Sequence, residues 1–377
     1  MAPGNKPLVM PIYQNVKFEF ESVDETLQFL GGARPGYFYS RLSNPTVRQL
    51  EMLLAELQGR DDCLTCASGV GAVVQALVSL LKAGDHVLCF AETYNPTRQM
   101  VRRLLARFGV THTMLSIEDL GGIEHVLSTR PTRLIVFESP TNPMTKVADI
   151  RAITAMARAH GALTVLDNTF AGFHQHGEFD IDVFAHSLTK YAAGTGDVMG
   201  GAVIASAELI SAMKPDWGLF GSQLDPHAAF LLMRGMRTYF LRYREQSAAA
   251  GVLAAFLAAD SRVAAVHYPG LASHDQAALA RAQMQDFGTI VTFDLAAGAE
   301  TGKRFADALQ LFAVAASLGS TESLVMPPQM IRPRDFTAEQ MAWSGVREGT
   351  VRLSVGLEDR DDLIADLRQA LDRAHAA

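Results

Sequence analysis

Arg133-Leu-Ile-Val-Phe-Glu138, Leu163-Thr-Val-Leu-Asp167, Val183-Phe-Ala-His-Ser187 and Gly201-Ala-Val-Ile-Ala205 are near-continuous apolar runs of strand length. Residues apolar at every position, not at alternate ones, suit strands buried on both faces, which is the condition of a parallel sheet covered by helices. A helical pattern over 149–160 precedes the second run. His86-Val-Leu-Cys-Phe90 reads as another strand, preceded by an apolar helix from Gly69 to Lys82 that stops at Gly84. Further upstream Cys63-Leu-Thr-Cys-Ala-Ser-Gly69 reads as strand and turn. Before it, Thr46 and Gln49 form a candidate capping box that puts Leu50, Leu53, Leu54 and Leu57 on one helical face. From about residue 45 to 205 the chain therefore predicts α/β architecture built from βαβ units.

Beyond Asp225-Pro226 the pattern changes. One long helix is expected over about 226–258, with a domain boundary inside it. Strands follow at Val263–Tyr268, Thr289–Asp294, Phe312–Leu318 and Val351–Val355, and helices near 273–285, 299–310 and 359–375. That is a smaller α+β domain. No internal repeat or low-complexity linker separates the two parts, so they are expected to pack tightly.

The 377 residues suffice for two domains, and with 49% hydrophobic and 19% charged residues the chain can bury a substantial core. Thirty-three Lys and Arg against 40 Asp and Glu give a formal charge of −7, without a basic run interleaved with aromatics. No nucleic acid partner is expected. The three cysteines, Cys63, Cys66 and Cys89, are too few for a disulfide framework and point to a reducing compartment. The first residues carry no apolar signal core, and no run approaches the ~18 apolar residues of a membrane span. A cytoplasmic protein with no membrane association is expected.

Ligands of open parallel sheets bind beyond the carboxyl ends of the strands, so polar residues just after strands deserve inspection. Ser68, Gly69 and Val70 stand between a strand and a helix, where free amides form an anion site, although the same residues also read as an ordinary tight turn. Asp167 ends a strand as either a cap or the partner of a buried cation. Lys190 follows another strand and precedes the glycine-rich Gly194-Thr-Gly-Asp-Val-Met-Gly-Gly201. In a dry pocket or near cations such a lysine has a depressed pKa and becomes a nucleophile. Cys63-Leu-Thr-Cys66 lacks further metal ligands at spacing and reads as part of a buried strand, and His174 and His176 read as loop residues, so no metal site is expected.

The spacing of these residues resembles the pyridoxal phosphate (PLP) enzymes of cysteine and methionine metabolism, the group of cystathionine γ-synthase, cystathionine γ- and β-lyase and methionine γ-lyase. The resemblance runs from Pro11-Ile-Tyr-Gln14 to Val351-Arg-Leu-Ser-Val-Gly-Leu-Glu-Asp359. Its markers are Tyr39-Ser-Arg-Leu-Ser-Asn-Pro-Thr46, Ala67-Ser-Gly-Val70, Glu138-Ser-Pro-Thr-Asn-Pro143, Asp167-Asn-Thr-Phe170, His186-Ser-Leu-Thr-Lys-Tyr191 and Ser317-Leu-Gly319 with Glu322-Ser-Leu324.

The resemblance implies a fold-type I PLP-dependent transferase fold, like that of aspartate aminotransferase. Its mainly parallel sheet has seven strands, and its parts would be an N-terminal interface segment (1–45), a PLP-binding large domain (46–240) and a C-terminal domain (241–377). It also implies roles. Lys190 would hold PLP covalently and move protons, and Asp167 would pair with the ring nitrogen. Ser68, Gly69, Val70, Ser187 and Thr189 would hold the phosphate, and Asn142 would contact the ring's phenolic oxygen. Tyr94 would stack on the ring and protonate the leaving group, while Arg352, with Ser317 nearby, would grip the substrate carboxylate. Tyr39 and Arg41 would reach the phosphate of a neighbouring subunit in a homo-oligomer, a dimer of dimers.

The implied reaction is elimination or replacement at the γ-carbon of an amino acid carrying a sulfur or oxygen substituent. Cystathionine β-elimination, a PLP-holding protein without turnover and, on fold alone, an aminotransferase are the alternatives. Departures from the family pattern gather at the expected substrate pocket: Tyr94-Asn-Pro-Thr97 for the usual Tyr-Gly-Gly-Thr, Gly194-Thr-Gly-Asp197 for Gly-His-Ser-Asp, Met330-Ile-Arg332 for Met-Thr-His, and Ala316 where cystathionine-directed members carry glutamate. The stretch before Pro11 is shorter than usual, which implies a weaker intersubunit clasp.

Overall fold

A computed structural model describes residues 7–376; the first six residues of the expected N-terminal segment, and Ala377, lie outside it. The larger sheet has seven strands: β1 (Asp62–Cys66), β2 (His86–Phe90), β3 (Thr111–Leu115), β4 (Leu134–Glu138), β5 (Leu163–Asp167), β6 (Val183–Ser187) and β7 (Gly201–Ala205). Their order is β1-β7-β6-β5-β4-β2-β3, and β7 alone runs antiparallel to its neighbours. Alternate residues of one strand enter different cores. Leu88, Phe90, Ile135, Phe137, Leu166 and Phe184 pack on one face with Leu50 and Leu54, whereas Val87, Cys89, Leu134, Val136, Val165 and Val183 pack on the other with Leu77, Ile210 and Trp217. Two covered faces are why the central strands are apolar at successive positions and not only at alternate ones.

The first large-domain helix, Pro45–Gln58, starts two residues earlier than a Thr46 cap would allow. Asn44 is the cap: its Oδ1 accepts from the Thr46 amide at 3.0 Å, and Pro45 takes the first helical position, where no amide is needed. The Thr46 hydroxyl instead accepts from the Tyr13 amide at 2.9 Å and ties down the N-terminal segment. Leu50 and Leu54 are fully buried, and Leu53 and Leu57 partly so.

The expected single helix over 226–258 is two, Pro226–Met236 and Tyr239–Ala258. At the break Arg237 and Thr238 donate to carbonyls three residues back, the tighter 3₁₀ pattern. Arg242 reaches back to the carbonyls of Gly235 and Tyr191, both at 2.9 Å. Gly235 is required at this crossing, because a Cβ there would stand 2.3 Å from the Ala192 carbonyl oxygen. The interruption thus seats the chain on the segment that follows Lys190.

The second sheet comprises β8 (Val263–His267), β9 (Ile290–Leu295), β10 (Ala313–Val314), β11 (Leu324–Met326) and β12 (Thr350–Ser354), in the order β10-β11-β12-β9-β8. Helices Tyr239–Ala258, Ala299–Ala308 and Arg360–His375 contribute to its core, with Leu253, Phe293, Phe305, Leu353 and Leu367 buried. The strand expected over Phe312–Leu318 shrinks to two paired residues, after which the backbone turns through Ser317 at a φ of 115°. The edge strand β3, the helices Leu120–Thr129 and Ala207–Phe220, β11 and the short helices Pro328–Ile331 and Ala338–Ser344 were not anticipated by the sequence pattern.

Candidate active site

The carboxyl ends of five strands of the larger sheet open towards one cavity of about 380 Å³. Ser68, Gly69 and Val70 follow β1; Tyr94 follows β2; Asn142 follows β4; Asp167 ends β5; Ser187, Thr189 and Lys190 come from β6 and the turn after it. The smaller sheet completes the wall with Ser317 and with Arg352 from β12. Of the thirteen residues expected at the site, only Tyr39 and Arg41 do not line the cavity. Arg41 donates to the Gly218 carbonyl at 3.0 Å, and its guanidinium lies 5.5 Å from the centre of the Tyr39 ring.

At one end of the cavity begins the helix Gly69–Leu80, with Ser68 as its cap; the Ser68 hydroxyl accepts from the Gly71 amide at 3.1 Å. The amides of Gly69 and Val70 have no intrahelical acceptor, as in any first turn. Gly69 lies so close to β6 that a Cβ would meet that of Ser187 at 2.6 Å, so only glycine allows the helix start and the Ser187 hydroxyl to form one cradle. Thr189 braces the same corner, its hydroxyl accepting from the Gly200 amide at 3.2 Å.

Lys190 donates from Nζ to the Ser317 hydroxyl at 2.8 Å. Burial and the Arg352 charge lower its pKa to about 8, against the opposing pull of Asp167. Arg352 is 4% exposed. Its guanidinium donates to Asn142 Oδ1 at 2.9 Å and to the Ser317 carbonyl at 2.7 Å, while Nε is buried without a partner. No carboxylate pairs with it among the described residues, and burial lowers its pKa to about 10. A buried cation without a counter-ion calls for an anionic ligand.

Two residues absent from the expected set hold this geometry. Thr169 donates its amide and hydroxyl to Asp167 Oδ1, at 3.1 and 2.6 Å, and its hydroxyl also accepts from the Ser187 amide at 2.9 Å. Oδ2 of Asp167 accepts no hydrogen bond among the described residues, Asp167 lines the cavity, and burial raises its carboxyl pKa. Glu138 stands opposite Asp167 in the β4–β5 register and accepts from the Tyr94 amide. Burial, then the Asp167 charge, hold Glu138 well above the usual carboxylate range. Both residues lie inside the motifs that carry the resemblance, but each also contacts another strand's segment, Thr169 the Ser187 amide and Glu138 the Tyr94 amide, which the motifs do not reveal. Tyr94 is 44% exposed, and its hydroxyl pKa is raised by burial and by the charges of Glu138 and Asp167, so the phenol keeps its proton at neutral pH.

The donor set suits a phosphorylated aromatic aldehyde: an amide and hydroxyl cradle for a dianion, a braced carboxylate for a ring nitrogen, and a lysine of low pKa for the aldehyde carbon. The remaining candidates are structural. Cys63 and Cys66 belong to β1 but enter opposite cores of the sheet, so they cannot meet in one site, and burial pushes the Cys66 thiol up to about 12. His176 is buried against Asn168 at 2.7 Å, and His174 bridges the Tyr239 hydroxyl and Asp286 at 2.8 and 3.1 Å.

Comparison with known proteins agrees with this chemistry. The family described as Cys/Met metabolism PLP-dependent enzyme matches residues 3–372. An L-methionine gamma-lyase of Pseudomonas putida is 43% identical over 368 residues, covering 97% of this chain and 92% of that protein. Chloroplastic cystathionine gamma-synthase 1 of Nicotiana tabacum is 34% identical over 367 residues, covering 97% and 68%. Among solved structures, cystathionine gamma synthase of Xanthomonas oryzae pv. oryzae in complex with aminoacrylate and cysteine superposes with a TM-score of 0.91 at 34% identity, covering 98% and 94% of the two chains. A putative O-acetylhomoserine (thiol)-lyase of Campylobacter jejuni, holding N'-pyridoxyl-lysine-5'-monophosphate, gives 0.90 at 31% identity, covering 97% and 95%.

Proposed function

The chain belongs to the Cys/Met metabolism family of PLP-dependent enzymes, and from that premise we propose which of its residues perform elimination or replacement at the γ-carbon of a sulfur- or oxygen-substituted amino acid. The cofactor is PLP. The Gly69 and Val70 amides with the hydroxyls of Ser68, Ser187 and Thr189 would hold its phosphate, Asp167 Oδ2 its ring nitrogen, Asn142 its ring hydroxyl and Lys190 its aldehyde carbon. Bound PLP would supply an electron sink that acidifies the C–H bond on the amine-bearing carbon and, after it, those on the neighbouring carbon.

The observation that carries the reading is Arg352, a buried guanidinium with an orphaned Nε and no acidic partner among the described residues, beside Lys190 and Ser317 in one cavity. Its charge-assisted hydrogen bonds fix a substrate carboxylate, which places the α-carbon near Lys190 Nζ. That amine, held near neutrality, takes the α-proton and can move protons along the substrate. The Tyr94 hydroxyl, kept protonated, donates to the departing sulfur. The γ-acting relatives do not favour cystathionine β-elimination. A complete cavity wall with Tyr94, Lys190 and Arg352 supports turnover over a PLP-holding protein that has lost it.

We assign γ-elimination from a substrate with an uncharged tail, releasing a thiol, ammonia and 2-oxobutyrate with uptake of water, because Ala316 gives the cavity wall no carboxylate for a distal ammonium. Arg332 pairs with Glu348, and neither Arg332 nor Asn95 lines the cavity. Residues 46–240 would form the cofactor domain and 241–377 the closing domain. The N-terminal segment to residue 45 would cross to a second subunit of a dimer of dimers. Its helix Val23–Leu30 buries no side chain, and Leu8, Val23, Leu27 and Leu30 are exposed, which suits an interface. No helix among the described residues is long and apolar enough to cross a membrane, and the three unpaired cysteines fit the cytoplasm.

The test is a panel of methionine, cystathionine, O-acyl homoserine and homocysteine, assayed for oxo acid and for thiol addition products, with borohydride trapping of the cofactor on the Lys190 peptide. Oxo acid from methionine supports the reading. Addition products without oxo acid would overturn the assigned elimination in favour of replacement, and cofactor recovered on another lysine would overturn the site.

A further inference from the structure

The segments that follow two of the departures from the family pattern, Arg98 to Arg102 after Tyr94-Asn-Pro-Thr97 and Asp335-Phe336 after Met330-Ile-Arg332, are far apart in sequence and meet in space. The short helix Asn95–Gln99 is capped by Tyr94, and from it Arg98, 5% exposed, folds back under the turn that carries the tyrosine. Its Nη1 donates to the Ala91 carbonyl at 3.2 Å and to the Thr93 carbonyl; its Nη2 donates to Asn95 Oδ1 at 3.3 Å. Past β2 the carbonyls of residues 91 and 93 therefore rest on one guanidinium, while Glu138 takes the Tyr94 amide.

The other side of that guanidinium belongs to the smaller sheet's part of the chain. Phe336 lies 4.3 Å below it, ring centre to Cζ, and Asp335 pairs with it at 3.8 Å. Asp335 also accepts from Gln99 and, at 3.2 Å, from Arg102. A second anchor of this region is Lys146, which donates to the Trp343 carbonyl at 2.7 Å. Neither Arg98 nor Asp335 lines the active-site cavity, so any action on substrate passes through Tyr94.

We propose that Arg98 is a positioning residue that makes the placement of Tyr94 depend on the docking of segment 333–336, so that seating of this segment against the Tyr94 helix sets the phenol for proton donation. The inference rests on the assignment of Tyr94 as proton donor in the preceding section. Its physical basis is the fork of the guanidinium: it holds two carbonyls on one edge and Asp335 on another while its face stacks on Phe336, a combination that an ammonium group cannot reproduce.

The test compares Asp335→Asn, Arg98→Lys and Tyr94→Phe holoenzymes, and the double variant Asp335→Asn with Tyr94→Phe. Asp335→Asn keeps the shape and sits at a partly exposed position, and we expect kcat to fall about fivefold with KM within about twofold of wild type. In the Tyr94→Phe background the same change should have no further effect. Arg98→Lys should lower kcat to a similar extent although it keeps the charge.

A second readout needs no turnover. Nitration of Tyr94 by tetranitromethane, followed on its peptide by mass spectrometry, should proceed at a changed rate in Asp335→Asn, with nitration of the buried Tyr239 unchanged. Additive losses in the double variant, full activity of Arg98→Lys, or an unchanged nitration rate would overturn the proposal. Absence of γ-elimination by the wild type would overturn the assigned reaction instead, and the nitration comparison would still decide the positioning role.

Discussion

The lysine at the centre of the site should behave unlike any surface lysine of the chain, and its titration tests the electrostatics of the cavity directly. With its pKa lowered to about 8 by burial and by Arg352, about a quarter of Lys190 side chains are neutral at pH 7.5, against about one in a thousand for an ordinary lysine. Only the neutral amine attacks an electrophile. Because the charged form is the one disfavoured, reactivity must rise as pH rises through the midpoint and level off above it.

The measurement is competitive acetylation of cofactor-stripped protein by trace acetic anhydride between pH 6 and 11, with the Lys190 peptide read against that of the exposed Lys82. We expect a Lys190 midpoint near 8. Arg352→Met removes the like charge and should move the midpoint up, whereas Asp167→Asn removes the attracting carboxylate and should move it down. A wild-type midpoint above about 9.5, or shifts of the same sign in both variants, would refute the account of how the cavity depresses this amine.

Gly69→Ala should weaken cofactor binding at least about tenfold and lower the melting temperature, since its Cβ would lie 2.6 Å from that of Ser187 and must push the helix start away from β6; equilibrium dialysis with PLP and a thermal melt check both. Ala316→Glu should raise kcat/KM for cystathionine relative to methionine by about fivefold, less than the roughly tenfold at the low end for a charge-assisted hydrogen bond, because the position is exposed at the cavity rim; a lowered ratio would mean that the distal ammonium is read elsewhere. Mixing Arg41→Ala with Lys190→Ala protein under subunit exchange should restore part of the activity, since one hybrid site then has both residues intact, and a fully active monomer in sedimentation would exclude the shared site.

Much of this protein is legible along the chain because the information is local. Strands β4 to β7 are near-continuous apolar runs, and that pattern already points to a sheet covered on both faces. The positions of Asp167 and Lys190 just after strands place them at the ligand-binding edge of such a sheet by topology alone. The family resemblance that the six motifs carry implies PLP and γ-carbon chemistry and thirteen site residues, of which the cavity gathers eleven. Where local signals misled, a distant contact had intervened. Thr46 has the pattern of a cap, yet Asn44 takes that role and the Thr46 hydroxyl serves Tyr13; the helix over 226–258 has continuous periodicity, yet Arg242 and the close crossing at Gly235 interrupt it.

What only the tertiary structure decided are the relations between charges. The amino acids of the site could be named from the sequence, but a pKa depends on what surrounds a group, and those neighbours arrive from other strands and from the other sheet. Arg352 comes from β12 to lower Lys190, Glu138 stands beside Asp167 because β4 and β5 pair in that register, and Ser317 reaches Lys190 because its strand ends early. Arg98 and Asp335 are separated by more than two hundred residues and become partners only when the two sheets are docked. Residue type and strand position set which chemistry was available to this chain, and three-dimensional packing, by desolvating some groups and pairing others, set the protonation states in which it is carried out.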